Sequence, residues 1–268
     1  MTAIERALYE LNEIDGYAAG QSFMHSLDPR SKALVTTLYI IAVLSFRLDS
    51  LSGILFMWIF PILFSALGGI SYNRVFLKSL YVLPLILFIG MFNPVMNREP
   101  MLQAGSITVS RGWVEFISIV LRGLLAVQAS LILVMTTGFQ KICYGLERIG
   151  MPAIFTTQLL MVYRYLSVLL QEAASMDNAR RSRGYGKRSY SPRLWGIFIG
   201  QLLIRTVARA ERIHRAMLSR GFDGTVALRT RLHWTMTDTL FLIISTALFT
   251  ATRLTDFSYL FNMIISRQ

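Results

Sequence analysis

Apolar residues gather into five runs, at about 33–46, 51–70, 75–92, 114–137 and 239–254. A membrane-spanning helix needs about 20 residues, within a range of about 17–25, so the second, third and fourth runs are long enough and the first and fifth are short. The tail "FSYLFNMII" either extends the fifth helix or begins a sixth. Pro61 and Pro84 lie inside the second and third runs. In a membrane helix neighbouring groups satisfy the backbone that a proline frees, so each predicts a kink.

Between 138 and 235 the pattern changes from continuous to periodic. Leu159, Val162, Leu166, Leu169, Ala173 and Met176 recur at spacings of three and four, with Arg164, Gln171 and Asn178 opposite. Leu203, Val207, Ala210, Ile213 and Met217 repeat the pattern, and Arg205, Arg209, Arg212 and Arg215 form the charged face. This periodicity predicts two long amphipathic helices. The turn-rich linker "GYGKRSYSPR" separates them, with Pro192 suited to a helix start. "GFQKICYGLERIGMP" predicts a shorter helix before them, ended by Gly150 and Pro152.

Charge fixes the orientation. The chain is 54% hydrophobic and 16% charged, yet carries a formal +12; soluble domains are about 25% charged. Residues 138–235 hold sixteen basic and five acidic side chains, which is +11 of that total. Arg30 and Lys32 before the first run, and Arg74 and Lys78 after the second, share its side, whereas the loops around Arg47/Asp49 and Arg98/Glu99/Arg111 are nearly balanced. By the positive-inside rule, the N-terminus and residues 138–235 are cytoplasmic. The start of the chain lacks the apolar core of a cleaved signal peptide. The expected organisation is a cytoplasmic segment (1–32), four membrane helices (33–137), cytoplasmic coupling helices (138–235), and a last membrane helix with its tail (236–268). The fold class is therefore all-α: a multi-pass membrane protein with five spans, or six if the tail forms one.

One short motif occurs twice. "ARRSRGYG" begins at Ala179 and "AMLSRGFDG" at Ala216, and each closes one long periodic segment. Gly184 and Gly221 stand where a glycine stops a helix in the left-handed conformation. Arg183 and Arg220 then fall in the last turn, where the helix dipole favours a cation by about 0.3–1 kcal/mol. A single copy is an ordinary helix stop. Two copies with matching Ala, Ser, Arg, Gly and aromatic offsets suggest two equivalent receptors, because an arginine between a small residue and a glycine enters a narrow groove and forks onto a carboxylate.

These stretches, with "HSLDPRSKAL", "FNPV", "MVYRYLSVLLQEAASMDNARRSRG" and "LLIRTVARAERIHRAMLSRGFDG", resemble the transmembrane T component of energy-coupling factor importers. The likeness covers nearly the whole chain and is closest to the cobalt/nickel type, the CbiQ group. It implies a scaffold in the inner membrane that passes movement from two cytoplasmic ATP-binding cassette ATPases to a separate substrate-binding membrane subunit. For the cobalt/nickel type it also implies a small accessory membrane subunit. It assigns Ser182, Arg183 and Gly184 to one ATPase-docking tip and Ser219, Arg220 and Gly221 to the other, with Ala179 and Ala216 in support. The first tip also carries Arg180 and Arg181 where the second has Met217 and Leu218. Which arginine of the first cluster enters a groove is left open.

The remaining chemistry is sparse. His25, His214 and His233 are scattered, thirteen methionines are spread along the chain, and Cys143 is the only cysteine. None has metal-ligand spacing, and no phosphate-binding glycine loop or catalytic pair stands out, so neither a metal site, a cofactor nor catalysis is expected. Arg122 lies inside the fourth run with Gln128 beyond it. An arginine there marks a polar intramembrane site, or else snorkels or pairs with a residue such as Glu115. Tyr163, Arg164 and Tyr165 form a polar face at the bilayer surface or a contact for the substrate-binding subunit. Two other readings compete. A conventional permease subunit lining its own substrate path would carry more polar residues in its spans. A nucleic-acid or anionic-lipid patch explains the charge and leaves the paired tips unexplained, so the partners expected are the bilayer and the transport subunits, with no nucleic acid.

Overall fold

Proline chemistry shapes the membrane helices. The computed structural model describes residues 3–46, 51–96, 100–104, 107–183, 191–224 and 233–254. In chain order the elements are α1 (Ala3–Ala18), α2 (Phe23–Ser26), α3 (Pro29–Leu44), α4 (Leu51–Met57), α5 (Ile59–Leu67), α6 (Tyr72–Ser79), a 3-10 turn (Leu80–Val82), α7 (Leu83–Gly90) and α8 (Phe92–Met96). A short hairpin, β1 (Pro100–Ala104) and β2 (Ile107–Ser110), then leads to α9 (Arg111–Thr137), α10 (Phe139–Ile149), α11 (Ala153–Arg183), α12 (Pro192–Leu218) and α13 (Met236–Leu254). The protein is all-α apart from that hairpin, which the run pattern did not predict. The tail that raised the prospect of a sixth span lies outside the described residues, as does Gly184.

Pro61 has no N–H to give the carbonyl four residues back, which is that of Met57. The helix breaks there, between α4 and α5, and the hydroxyl of buried Tyr39 donates to the Met57 carbonyl at 2.9 Å. Pro84 acts in the same way on Leu80, where the chain tightens into the 3-10 turn, and Leu83 N–H caps the Leu80 carbonyl instead. Both prolines therefore change local helix geometry, and the second leaves 72–94 as one apolar stretch of membrane-spanning length.

The chain divides into two units. The first, Tyr17–Gly138 with Leu232–Gln268, is the membrane unit. At its centre α3 packs between α9 and α13; Tyr39 stacks on Phe60 at 4.1 Å, and both meet Phe249 of α13. Leu85, Phe88, Ile89, Met91 and Phe92 are all more than half exposed. An apolar outer surface over an apolar core suits a helix bundle solvated by lipid. Inside this unit the indole N–H of Trp58 donates to the Tyr72 hydroxyl, which donates to Gln128 Oε1 at 3.2 Å.

The second unit, Met1–Gly16 with Phe139–Arg231, carries most of the positive charge. Here α10 packs on α11, and α11 meets α12. Tyr163 of α11 stacks on Phe139 at 4.6 Å and donates to Asp15 of α1 at 2.5 Å. By length and composition α11 too is apolar enough to cross a bilayer, because its first half is rich in Ile, Leu, Val and Phe while its second half carries Glu172, Asp177, Arg180, Arg181 and Arg183. Helix α12 starts at Pro192 under a cap in which Ser191 Oγ accepts from Leu194 N–H at 3.3 Å.

Candidate functional site

The two periodic apolar faces meet. Val162, Leu166 and Leu169 of α11 and Val207, Ala210, Ile213 and Met217 of α12 line one open groove of about 520 Å³. These faces share a groove without burying their side chains: Val162 remains 65% exposed and Val207 51%. An ion pair joins these helices, Arg205 to Glu172 at 2.6 Å, and it is partly exposed, a class worth about 0–1 kcal/mol.

The tip of α12 is built by its glycine. Gly221 has φ +79°. Its N–H bonds the carbonyl of Leu218 at 3.0 Å, and Phe222 N–H bonds that of Met217 at 3.1 Å. This pair of bonds is the Schellman arrangement, which satisfies the last carbonyls and turns the chain sharply away. Met217 and Phe222 both line the groove beneath. Arg220 is left exposed at the turn.

The tip of α11 has the same local chemistry. Ser182 Oγ donates to the Asn178 carbonyl at 3.1 Å, and Ser219 Oγ donates to the Arg215 carbonyl at 3.0 Å. Each serine therefore bonds back into its own helix, one turn earlier. Ala179 and Ala216 are exposed, as are Arg183 and Arg220. Neither of these two guanidinium groups has a hydrogen-bond or ion-pair partner among the described residues. Arg183 borders an open groove of about 920 Å³ with Ala179, Leu194, Ile197 and Phe198.

Arg180 and Arg181 differ from Arg183. Asp177, 3% exposed, receives Arg181 Nε at 2.9 Å and Arg180 Nη2 at 3.5 Å. The additional cations of the first copy are thus engaged by a carboxylate that the second copy lacks, since His214 stands at the matching position. With those two engaged, Arg183 is the geometric counterpart of Arg220. The spacing of Asp177 at three and four residues before two arginines was legible in the sequence as a helical ion-pair pattern.

The other candidates are buried. Arg122 and Glu115 are buried on α9, at 6% and 5% exposure, so Arg122 does not reach out along the helix surface to the interface; Glu115 also bonds Arg111 Nε at 3.1 Å. Burial pushes the Cys143 thiol of α10 up from its ordinary value, which keeps it protonated and unreactive. Among the described residues no cluster of His, Cys, Asp or Glu is arranged to hold a metal ion.

Residues 20–234 match the family model of CbiQ, described as a cobalt transport protein. The chain is 27% identical to an energy-coupling factor transporter transmembrane protein EcfT of Thermosediminibacter oceani, over 79% of this chain and 84% of that one. It is 31% identical to the EcfT of Brevibacillus brevis, over 82% of this chain and 88% of that one. A putative fused cobalt transport protein CbiMQ of Methanocorpusculum labreanum is 34% identical over 42% of this chain, which is 19% of the longer protein.

Proposed function

Since the chain belongs to the CbiQ cobalt transport protein family, we propose that it is the transmembrane coupling component of an energy-coupling factor importer for cobalt or nickel ions. The observation that carries the reading is the pair of matched tips, each offering one exposed arginine that has no partner among the described residues and stands beside a groove. In this reading Arg183 and Arg220, with Ser182 and Ser219 before them and Gly184 and Gly221 after them, dock into two cytoplasmic ATP-binding cassette ATPases. Ala179 and Ala216 keep the approach open. Asp177 withholds Arg180 and Arg181, so the two tips present one fork each.

The two relatives named EcfT support a place in such an assembly, and the name CbiMQ supports the cobalt/nickel branch. The ions are then captured by a separate membrane subunit with a small accessory one, and ATP is hydrolysed on the ATPases, with this chain as a non-catalytic scaffold. Residues 138–235 and the N-terminus face the cytoplasm of an inner membrane, which places both tips on the side where ATP is made available. The test is cobalt(II) uptake by cells expressing the full set of subunits with the Arg183→Ala/Arg220→Ala double variant. Uptake at background level is expected, with Arg212→Ala close to wild type. Equal uptake by all three proteins would remove the docking reading.

A further inference from the structure

The chain passes between the two units three times, at 16/17, 138/139 and 231/232. On the membrane side, described residues near each crossing are fastened to one short segment, residues 22–32. At the first crossing, His25 Nε2 bonds the Tyr17 carbonyl at 2.8 Å, while its Nδ1 bonds Ser22 Oγ at 2.7 Å. At the second, Lys32, only 4% exposed, donates to the Thr136 carbonyl at 3.4 Å and to that of Met24 at 2.9 Å. Thr136 lies two residues before Gly138, where φ is +79° and α9 stops. At the third, buried Asp238 accepts from the Asp28 N–H at 2.7 Å and from Ser31 Oγ at 3.1 Å. Its other oxygen holds the incoming turn through Thr235 N–H and Oγ at 2.8 and 2.6 Å.

The sequence dictates this segment locally. Asp28 caps α3 by accepting from Arg30 N–H at 2.9 Å, and Pro29 opens the helix. That cap turns the Asp28 N–H and the Ser31 hydroxyl towards one carboxylate and sets Lys32 one turn in. Charged groups sealed from water hold a fixed geometry, because losing one partner leaves the other buried and unpaired. A force applied at the second or third crossing therefore falls on the start of α3, the helix packed against both α9 and α13, and one at the first falls on α2 just before it.

We infer that residues 22–32 form the anchorage through which movement of the basic unit enters the membrane unit, with Lys32 and Asp238 as positioning residues for coupling. The inference rests on the coupling reading above, and its test keeps the two apart. The assembled transporter in liposomes, with cobalt(II) outside and ATP available to the ATPases, gives two readouts: ATP hydrolysed and cobalt moved per ATP. A wild-type complex that takes up no cobalt overturns the coupling reading before any variant is compared. Lys32→Met and Asp238→Asn should leave ATPase assembly and hydrolysis within about twofold of wild type and lower cobalt per ATP, by about tenfold or more in the double variant. Lys32→Arg, which keeps a buried cation, should recover part of the loss. If Asp238→Asn does not assemble, Ser31→Ala, which removes one of four bonds to that carboxylate, and Lys32→Arg carry the comparison. Unchanged cobalt per ATP in variants whose amide exchange shows 235–238 released would overturn the inference. So would a loss of hydrolysis in step with uptake, since that is the behaviour of a purely structural tie.

Discussion

Asp177 receives Arg181 at 2.9 Å and Arg180 at 3.5 Å from a nearly sealed position, and so engages two of the three cations at the end of α11. Arg183 has no such partner among the described residues. In the docking reading these bonds have a consequence beyond local stability, because they would make a first tip with three arginines equivalent to a second with one. Asp177→Asn should release Arg180 and Arg181. In an Arg183→Ala background it should restore part of the ATPase binding that Arg183→Ala alone loses, measured by co-purification in mild detergent. Its cost in thermal stability should be small, about 1 kcal/mol, because Arg181 is half exposed. No recovery of binding would mean that these arginines cannot stand in for Arg183.

Tyr39 and Pro61 form a second compensating pair. The Tyr39 hydroxyl serves the Met57 carbonyl that Pro61 leaves without a donor. Tyr39→Phe should destabilise the membrane unit by about 1–3 kcal/mol, the cost of a buried acceptor left unmade. In a Pro61→Ala background the residue at 61 supplies its own N–H, and Tyr39→Phe should cost less. Thermal unfolding of the four proteins gives the coupling, and costs that simply add would show that the two residues act independently.

The orientation is open to direct measurement. In a Cys143→Ser background, an impermeant thiol reagent applied to intact cells should label Gln103→Cys and spare Arg193→Cys, with both labelled once the membrane is broken. The native thiol is buried and its pKa is raised, so its background labelling should be slow in any case. The opposite pattern would invert the topology.

Much of this was legible in the sequence, for a reason that separates the cases. Continuous apolar runs and a three-four period are local signals, and they located α9, α11, α12 and α13 to within a few residues. The Gly221 stop was legible because a left-handed turn strongly favours glycine. The Asp28–Asp238 bond joins residues 210 apart, and no local pattern announces it. Residues 1–32 were read only as a cytoplasmic segment, with no helix assigned to α1, whereas Asp15 ties that helix to Tyr163. The expected apolar stripe on α11 is only partly buried: Ala173 is sealed, whereas Val162, in the groove shared with α12, stays exposed.

The central claim is that each tip grips its own ATPase, and the number of ATPase subunits retained by the purified complex tests it most directly. Removing one partner of a sealed charge pair costs about 3–5 kcal/mol, at least a hundredfold in affinity, whereas an exposed arginine is worth about 0–1 kcal/mol. Native mass measurement should find two ATPase subunits on the wild-type chain, one on Arg183→Ala, one on Arg220→Ala and none on the double variant. Arg220→Lys should recover part of the loss, since an ammonium keeps the charge and loses the fork. Arg212→Ala, which removes an exposed arginine of α12 that also has no partner among the described residues, should retain two. Two subunits on every variant, or the same loss in Arg212→Ala as in Arg220→Ala, would contradict the account and reduce both tips to ordinary helix ends.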